Sequence, residues 1–278
     1  MSDLIAAAAP PRTRPPPGGC RYRMTLAYDG TDFSGWQVQP DKRTVQGEVE
    51  TGLQHLAGAV VHLHSCGRTD AGVHARAQVA HFDLAAPWKT PGKIGQALNA
   101  RLPDSIRVLT VRRARPGFHA RYDAQGKQYR YSIWNAPVAC PLHRRQTLHV
   151  WRPLDVAAMR QAAALLEGQH DFASFSANPG REISGTVRTL WQLAVRQQGP
   201  LLTLAVVGDG FLYKMVRSLA GHLIRVGLGA VAADETHAIL AARVRTARVE
   251  TAPPHGLCLW TIYYGALPAA VHKSLPKA

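Results

Sequence analysis

The chain has 278 residues, 46% of them hydrophobic, which is enough for one large domain or two ordinary ones with a substantial buried core. Lysine and arginine number 33 against 18 aspartate and glutamate residues, and the formal net charge of +15 favours a polyanionic partner, nucleic acid or an acidic membrane surface. No stretch approaches the roughly 20 apolar residues that cross a bilayer, which argues against a membrane-spanning protein.

Residues 1–20 are rich in proline and alanine and lack the basic start of a secretory signal, so we expect a disordered leader. Residues 266–278 are expected to form a tail. The cysteines contain no C-x-x-C pair, which argues against a structural zinc site or a disulfide framework and suits a reducing cytosol. They are Cys20, Cys66, Cys140 and Cys258. We therefore expect a cytoplasmic protein.

The first half of the chain predicts the order strand, helix, strand, strand, helix, strand. Apolar alternation and helical periodicity assign these elements to residues 21–30, 44–58, 59–65, 75–84, 91–102 and 105–114. Thr44 suits the N-cap of the first helix and Gly58 its end, while Pro91 suits the start of the second helix.

The second half repeats this order over residues 127–135, 154–168, 187–197, 200–209, 211–229 and 256–264. Strand, helix, strand, strand, helix, strand is the order of ferredoxin-like and RRM-like units. We therefore predict an α+β fold of two such halves, 21–125 and 126–265, with mainly antiparallel sheets and a central cleft. A short helix over 235–245 would be an insertion in the second half.

The segment between Gly67 and Gly72 combines an arginine, a threonine and an aspartate. Asp70 is either a turn residue or a working carboxylate, because aspartate serves both purposes. A metal hydrolase that uses His62, His64 and Asp70 is a further alternative, since His62 and His64 share one strand face. No later segment supplies a matching ligand cluster, so we expect no metal.

Basic and aromatic residues alternate at the start of the second half. Arg121, Lys127 and Arg130 surround Tyr129 and Tyr131, a combination that suits nucleic acid with unstacked bases. The alternative is a solvated strand face, with at least one of the two tyrosines packed in the core. No P-loop or Rossmann glycine motif is present, so a nucleotide cofactor is unsupported.

An ordered series of blocks resembles the A-type tRNA pseudouridine synthases. The series extends along nearly the whole chain outside the leader and the tail, and GRTDAGVHA is its most specific block. The blocks are YDGTDFSGWQ (28–37), TVQGEVE (44–50), GRTDAGVHA (67–75), LN (98–99), LPDSIRV (102–108), FHAR (118–121), KQYRY (127–131), HDFASF (170–175), GFLYKMVRSLAGHLIRVG (210–227) and TAPPHGLCL (251–259).

The resemblance implies that the chain converts uridine to pseudouridine in the anticodon stem-loop of tRNA, at tRNA positions 38, 39 and 40. No cofactor is implied, because the isomerisation involves no net redox change and no hydrolysis. A homodimer is also implied. The alternative is a catalytically inactive tRNA-binding protein of the same fold.

The resemblance also implies roles for individual residues. Asp70 matches the catalytic aspartate, a nucleophile that forms and releases a covalent link. Arg217 matches an arginine that pairs with it, and such a pair would hold the carboxylate ionised and oriented. Arg68 would contact phosphate or fill the space that the target base leaves.

Three further side chains are expected to contact the substrate. Tyr129 would stack on the uracil and help to move a proton, with Tyr131 as the alternative for this role. Arg121, in the FHAR block, would contact the RNA. Leu257 would form an apolar wall of the site, and it would equally suit an ordinary core position.

Overall fold

A computed structural model of the chain describes residues 15–178, 180 and 185–267. The predicted leader, 1–20, and tail, 266–278, lie mostly outside these residues. The strands are β1 (Cys20–Tyr28), β2 (His64–Ser65), β3 (His74–Leu84), β4 (Ile106–Arg113), β5 (Gly126–Asn135), β6 (Leu148–Val150), β7 (Gly168–Asp171), β8 (Val187–Gln198), β9 (Leu201–Gly208) and β10 (Leu257–Tyr263). The α-helices are α1 (Val45–Ala57), α2 (Gly92–Asn99), α3 (Val156–Ala164), α4 (Met215–Gly227) and α5 (Glu235–Ala241).

All these strands belong to one sheet, in the order β4-β1-β3-β10-β5-β9-β8-β7, with β2 on β3 and β6 on β5. Within it, β4-β1-β3-β2 and β10-β5-β9-β8 each have the strand order 4-1-3-2. Pairing is antiparallel apart from β3 with β10 and β5 with β6. The prediction of an α+β fold with two ferredoxin-like units is therefore confirmed, and the two units share a continuous sheet.

The two units meet along a short strand pair. β10 pairs with β3 through Cys258 opposite His74 and Leu259 opposite Ala75. Further along the same edge of β3, His81 and Ala80 pair with β2 instead. The junction therefore has only two residue pairs of sheet pairing, and other contacts must fix how the units sit against each other.

Local sequence explains where α1 begins and ends. The Thr44 side chain accepts a hydrogen bond from the Gly47 N–H at 3.3 Å, and Gly58 ends the helix at φ +67°. Both predicted caps are correct, because a hydroxyl satisfies a free N–H and glycine enters the left-handed region without strain.

The strand predicted over 59–65 is wrong for most of its length, because only His64–Ser65 pairs in the sheet. Side chains of α1 take up the backbone groups of Leu63 instead. Its N–H donates to Oε1 of Glu50 at 2.7 Å, and its carbonyl accepts from Nε2 of Gln46 at 3.1 Å. The strands β6 and β7 are short and were not predicted.

The helix α4 carries Arg217 and is the most buried helix of the second unit. A Cβ on Gly221 would lie 2.3 Å from the carbonyl oxygen of Glu250, so this glycine lets the helix pack directly against the segment that leads to β10.

The predicted helix over 235–245 is present as α5. No helix within the described residues is long and apolar enough to cross a membrane.

The buried His222 of α4 predicts acid sensitivity. Its Nε2 lies 2.9 Å from Oγ1 of Thr236, and burial, followed by the nearby Arg225, lowers its pKa to about 4. The unfolded chain takes up this proton near pH 6.5, so stability falls as the pH drops from about 6.5 to 4. His222→Gln should remove up to roughly 3 kcal/mol of that pH dependence in urea unfolding at a series of pH values.

His237→Gln, the same exchange at an exposed position of α5, is measured in parallel as the matched control. An unchanged profile for His222→Gln would contradict the assignment.

Candidate active site

The loop that contains Asp70 is fixed through its backbone. The Thr69 carbonyl accepts the Trp36 N–H at 3.0 Å, and the Thr69 hydroxyl lies 2.8 Å from the Tyr28 hydroxyl. The Val73 N–H donates to the Asp70 carbonyl at 3.1 Å, which closes a turn, and Gly72 adopts φ +77° within it. Asp70 is thus a turn residue through its backbone, and its carboxylate remains available for another partner.

Two glycines of the YDGTDFSGWQ block let the chain approach this loop closely. A Cβ on Gly30 would lie 2.1 Å from the Val73 carbonyl oxygen. A Cβ on Gly35, at φ +93°, would lie 2.7 Å from the Thr69 carbonyl oxygen. Any larger residue at either position would push the loop away, so these glycines set the position of Asp70.

Asp70 and Arg217 meet at the junction of the two units. Nη1 of Arg217 donates to Oδ2 of Asp70 at 2.9 Å, and Nε of Arg217 donates to the Ala252 carbonyl at 2.8 Å. The side chains are 12% and 27% exposed for Arg217 and Asp70, respectively. The guanidinium is therefore held in place by the backbone of the second unit, while the carboxylate still faces the solvent in part.

The two tyrosines of β5 have different environments. Tyr129 is 9% exposed, packs edge-on against Phe211 with ring centroids 5.2 Å apart, and burial raises the pKa of its hydroxyl. Tyr131 is 0% exposed, and its hydroxyl donates to the Pro253 carbonyl at 2.9 Å. Gly256 lies against the Tyr131 ring, since a Cβ there would lie 2.6 Å from it. Both rings are buried in the core. Tyr131 is completely buried with its hydroxyl bonded to backbone, whereas Tyr129 retains some exposure.

The remaining predicted site residues are more dispersed. Leu257 is buried on β10, opposite Tyr131 on β5. Arg68 is exposed next to the loop. Arg121 is exposed on the connection from β4 to β5, with its guanidinium 5.8 Å from the Tyr122 ring centroid.

Two further residues touch this region, and neither is among the site residues predicted from the sequence. Lys127, two positions before Tyr129 on β5, donates from Nζ to the Cys66 carbonyl at 3.3 Å. Phe211 supports the Tyr129 ring. Both lie in blocks that carry the resemblance, KQYRY and GFLYKMVRS, but their contacts join segments more than 60 residues apart, and a local pattern does not indicate such contacts.

The geometry gives no support to the metal-hydrolase alternative. His62 and His64 are exposed, and Asp70 is paired with Arg217. Across 15–178, 180 and 185–267, no three side chains of His, Cys, Asp and Glu are grouped so that they could hold a metal ion.

Comparison with known proteins identifies the family of the chain. The family model described as tRNA pseudouridine synthase matches residues 24–123 and 162–265. These ranges include Asp70, Phe211, Arg217 and Leu257. The chain belongs to the tRNA pseudouridine synthase family. It is thus an isomerase that acts on uridine in tRNA.

Individual members of the family are similar over most of their length. The chain is 47% identical to tRNA pseudouridine synthase A of Brevibacillus brevis over 249 residues, which cover 88% of this chain and 99% of the relative. It is 46% identical to tRNA pseudouridine synthase A of Solidesulfovibrio magneticus over 258 residues, which cover 88% and 92%. The resemblance inferred from the sequence blocks is confirmed.

The close approach of Gly30 to the Val73 carbonyl predicts a large loss of stability and activity when Gly30 is substituted. Gly30→Ala should lower the free energy of unfolding by at least about 2 kcal/mol and reduce activity, because its methyl group would overlap the Val73 carbonyl and displace the Asp70 loop. Urea unfolding and turnover of tRNA would measure both effects.

Gly92→Ala is the matched control, since a Cβ at Gly92 meets no atom within 4 Å. Its stability should remain within about 1 kcal/mol of the wild type. Equal effects of the two substitutions would contradict the assignment of Gly30.

Proposed function

We propose that Asp70 is the nucleophile with which the enzyme converts uridine to pseudouridine in the anticodon stem-loop of tRNA, without a cofactor. The observation that carries the proposal is the contact of Asp70 with Arg217, because it holds a part-exposed carboxylate in one orientation at the junction of the two units. A carboxylate forms a covalent link and then releases it, as the isomerisation requires.

The reaction balances without an oxidant or a hydrolytic water. The bond from ribose C1′ to uracil N1 breaks, the uracil turns while it stays bound in the site, and a bond from C1′ to C5 forms. The hydrogen at C5 leaves as a proton, and N1 gains one. The enzyme must therefore provide a nucleophile, a surface that retains the detached base, and a group that moves a proton.

Tyr129 and Leu257 suit the second requirement. A base inside an RNA helix has to leave the stack before an enzyme can reach it, and it then needs an aromatic or apolar surface. We assign this surface to the Tyr129 ring, which Phe211 supports, with Leu257 as an apolar wall. The Tyr129 hydroxyl is our choice for moving the proton.

The basic side chains suit the RNA backbone. The net charge of +15 favours a polyanionic partner, and Arg68 and Arg121 are both exposed. We assign Arg68 to phosphate or to the space that the target base leaves, and Arg121 to an outer RNA contact. A homodimer, which rests on the family resemblance, and a cytoplasmic location, which rests on the pattern of the cysteines, complete the proposal, while no membrane and no nucleotide cofactor are involved.

Substitution of Asp70 tests the nucleophile. With tRNA that carries tritium at uracil C5, the wild type should release label, whereas Asp70→Asn and Asp70→Ala should release none above background, because neither side chain forms the covalent link. Full activity of Asp70→Asn would contradict the proposal.

The alternative, an inactive tRNA-binding protein, predicts no release of label from the wild type. Binding measured in parallel should stay within about threefold of wild type for Asp70→Ala and weaken steeply with salt, because phosphate contacts dominate affinity.

The two tyrosines are separated by matched substitutions. Tyr129→Phe should lower kcat roughly tenfold or more, with little change in stability, because it removes the hydroxyl that moves the proton. Tyr131→Phe should lower the free energy of unfolding by about 1 kcal/mol, through loss of the bond to Pro253, and leave kcat nearly unchanged. A larger loss of kcat for Tyr131→Phe than for Tyr129→Phe would contradict both assignments.

A further inference from the structure

His74 begins β3, four residues after Asp70, and its side chain is only 7% exposed. The imidazole is bonded through both ring nitrogens. Nδ1 accepts the Gly30 N–H at 3.1 Å and lies 3.1 Å from Oδ1 of Asp29. Nε2 lies 2.8 Å from the Arg145 carbonyl and 3.1 Å from the His255 carbonyl.

These partners settle which ring nitrogen carries hydrogen. Two carbonyl oxygens face Nε2, so Nε2 must donate. In the neutral ring Nδ1 is then free to accept the Gly30 N–H, and in the protonated ring it would donate to Asp29. Nε2 is the donor in both cases, so the bonds to Arg145 and His255 do not depend on the protonation state.

The two nitrogens bind different units of the fold. Gly30 follows β1 in the first unit and approaches the loop of Asp70. In the second unit, Arg145 lies between β5 and β6, and His255 lies in a short 3-10 helix just before β10. The backbone of His74 also forms one of the two residue pairs between β3 and β10. His74 therefore joins the units through both its backbone and its side chain. It does so between β3 and β10, where the sheet pairing of the two units is two residue pairs long.

The catalytic groups are divided between the same two units. Asp70 comes from the first, and Arg217, Tyr129 and Leu257 come from the second. A displacement of about 1 Å between reacting groups can cost about 100-fold in rate. The bond from Nε2 of His74 acts directly on this relative position.

We propose that His74 is a positioning residue: through Nε2 it locks the Asp70 loop onto the second unit, so that the nucleophile stays aligned with the groups that hold the uracil. It does not touch the substrate. This inference rests on the proposed role of Asp70.

Two near-isosteric substitutions separate the two sides of the ring. His74→Gln places an amide N–H near the position of Nε2, keeps the bonds to Arg145 and His255, and loses the acceptor for Gly30. His74→Asn places an amide oxygen near the position of Nδ1, keeps the bond to Gly30, and loses the link to the second unit. Release of tritium in a single turnover at saturating enzyme, together with tRNA affinity and Tm, measures the effects.

The proposal expects a rate for His74→Asn that is at least tenfold below the wild type, with tRNA affinity within about threefold, and a rate for His74→Gln within about threefold. A purely structural role would lower Tm in both variants and leave both single-turnover rates near the wild type. Equal rates for the two variants, or a slower rate for His74→Gln, would overturn the proposal.

If His74→Asn does not fold, His74→Ser replaces it, because serine also lacks a donor at the position of Nε2. A single-turnover rate of His74→Ser within about threefold of the wild type would overturn the proposal, and so would a rate of His74→Gln more than about threefold below the wild type. The exposed His62 supplies a control, since His62→Asn should change none of the three measurements. Asp70→Asn is assayed alongside. Activity of that variant would refute the role of Asp70, and this outcome is distinct from any result for His74.

Discussion

The contact between Asp70 and Arg217 joins residues 147 positions apart, and the rest of the site is arranged around it. A part-buried ion pair contributes little net stability, because desolvation of the charges offsets their attraction. The ion pair instead fixes the geometry of the site. The Ala252 carbonyl holds the Arg217 guanidinium, and the guanidinium holds one carboxylate oxygen of Asp70. The contact exists only if the two units of the sheet keep one relative placement, and the surrounding contacts maintain that placement.

The supports of this pair come from both units. Gly30 and Gly35 allow backbone to press against the Asp70 loop from the first unit, because a side chain at either position would overlap a carbonyl oxygen. In the second unit, Gly221 lets α4 pack against the segment before β10. This packing sets the position of the α4 backbone from which the Arg217 side chain reaches Asp70. The sheet alone would not suffice, since β3 and β10 pair through two residue pairs. Precision at the site therefore depends on close backbone contacts and buried polar bonds such as those of His74.

Much of the fold follows from local patterns in the sequence. The caps at Thr44 and Gly58 and the repeated element order were predictable, because capping and apolar periodicity act within a few residues. The prediction of a strand over 59–65 failed because the backbone N–H of Leu63 donates to Glu50 on α1 and not to a neighbouring strand. The sequence left Tyr129 and Tyr131 as alternatives, and the contacts that distinguish their environments are long-range, such as the contact of Tyr131 with Pro253, 122 residues later. Contacts of that length have no local signature, and the bonds of His74 to Arg145 and His255 are of the same kind.

The two interpretations of Asp70 from the sequence, turn residue and working carboxylate, are compatible in the structure. The turn is closed by the backbone carbonyl of Asp70 and the N–H of Val73, so it makes no demand on the side chain. A turn also suits a nucleophile, since it brings one carboxylate out of a strand edge while the flanking Thr69 and Val73 remain buried. Because Thr69 and Val73 are held in place, the backbone of Asp70 between them is held in place as well. Because β3 begins at His74, a contact that fixes His74 fixes the end of this turn, which is the physical basis of the positioning role proposed for His74.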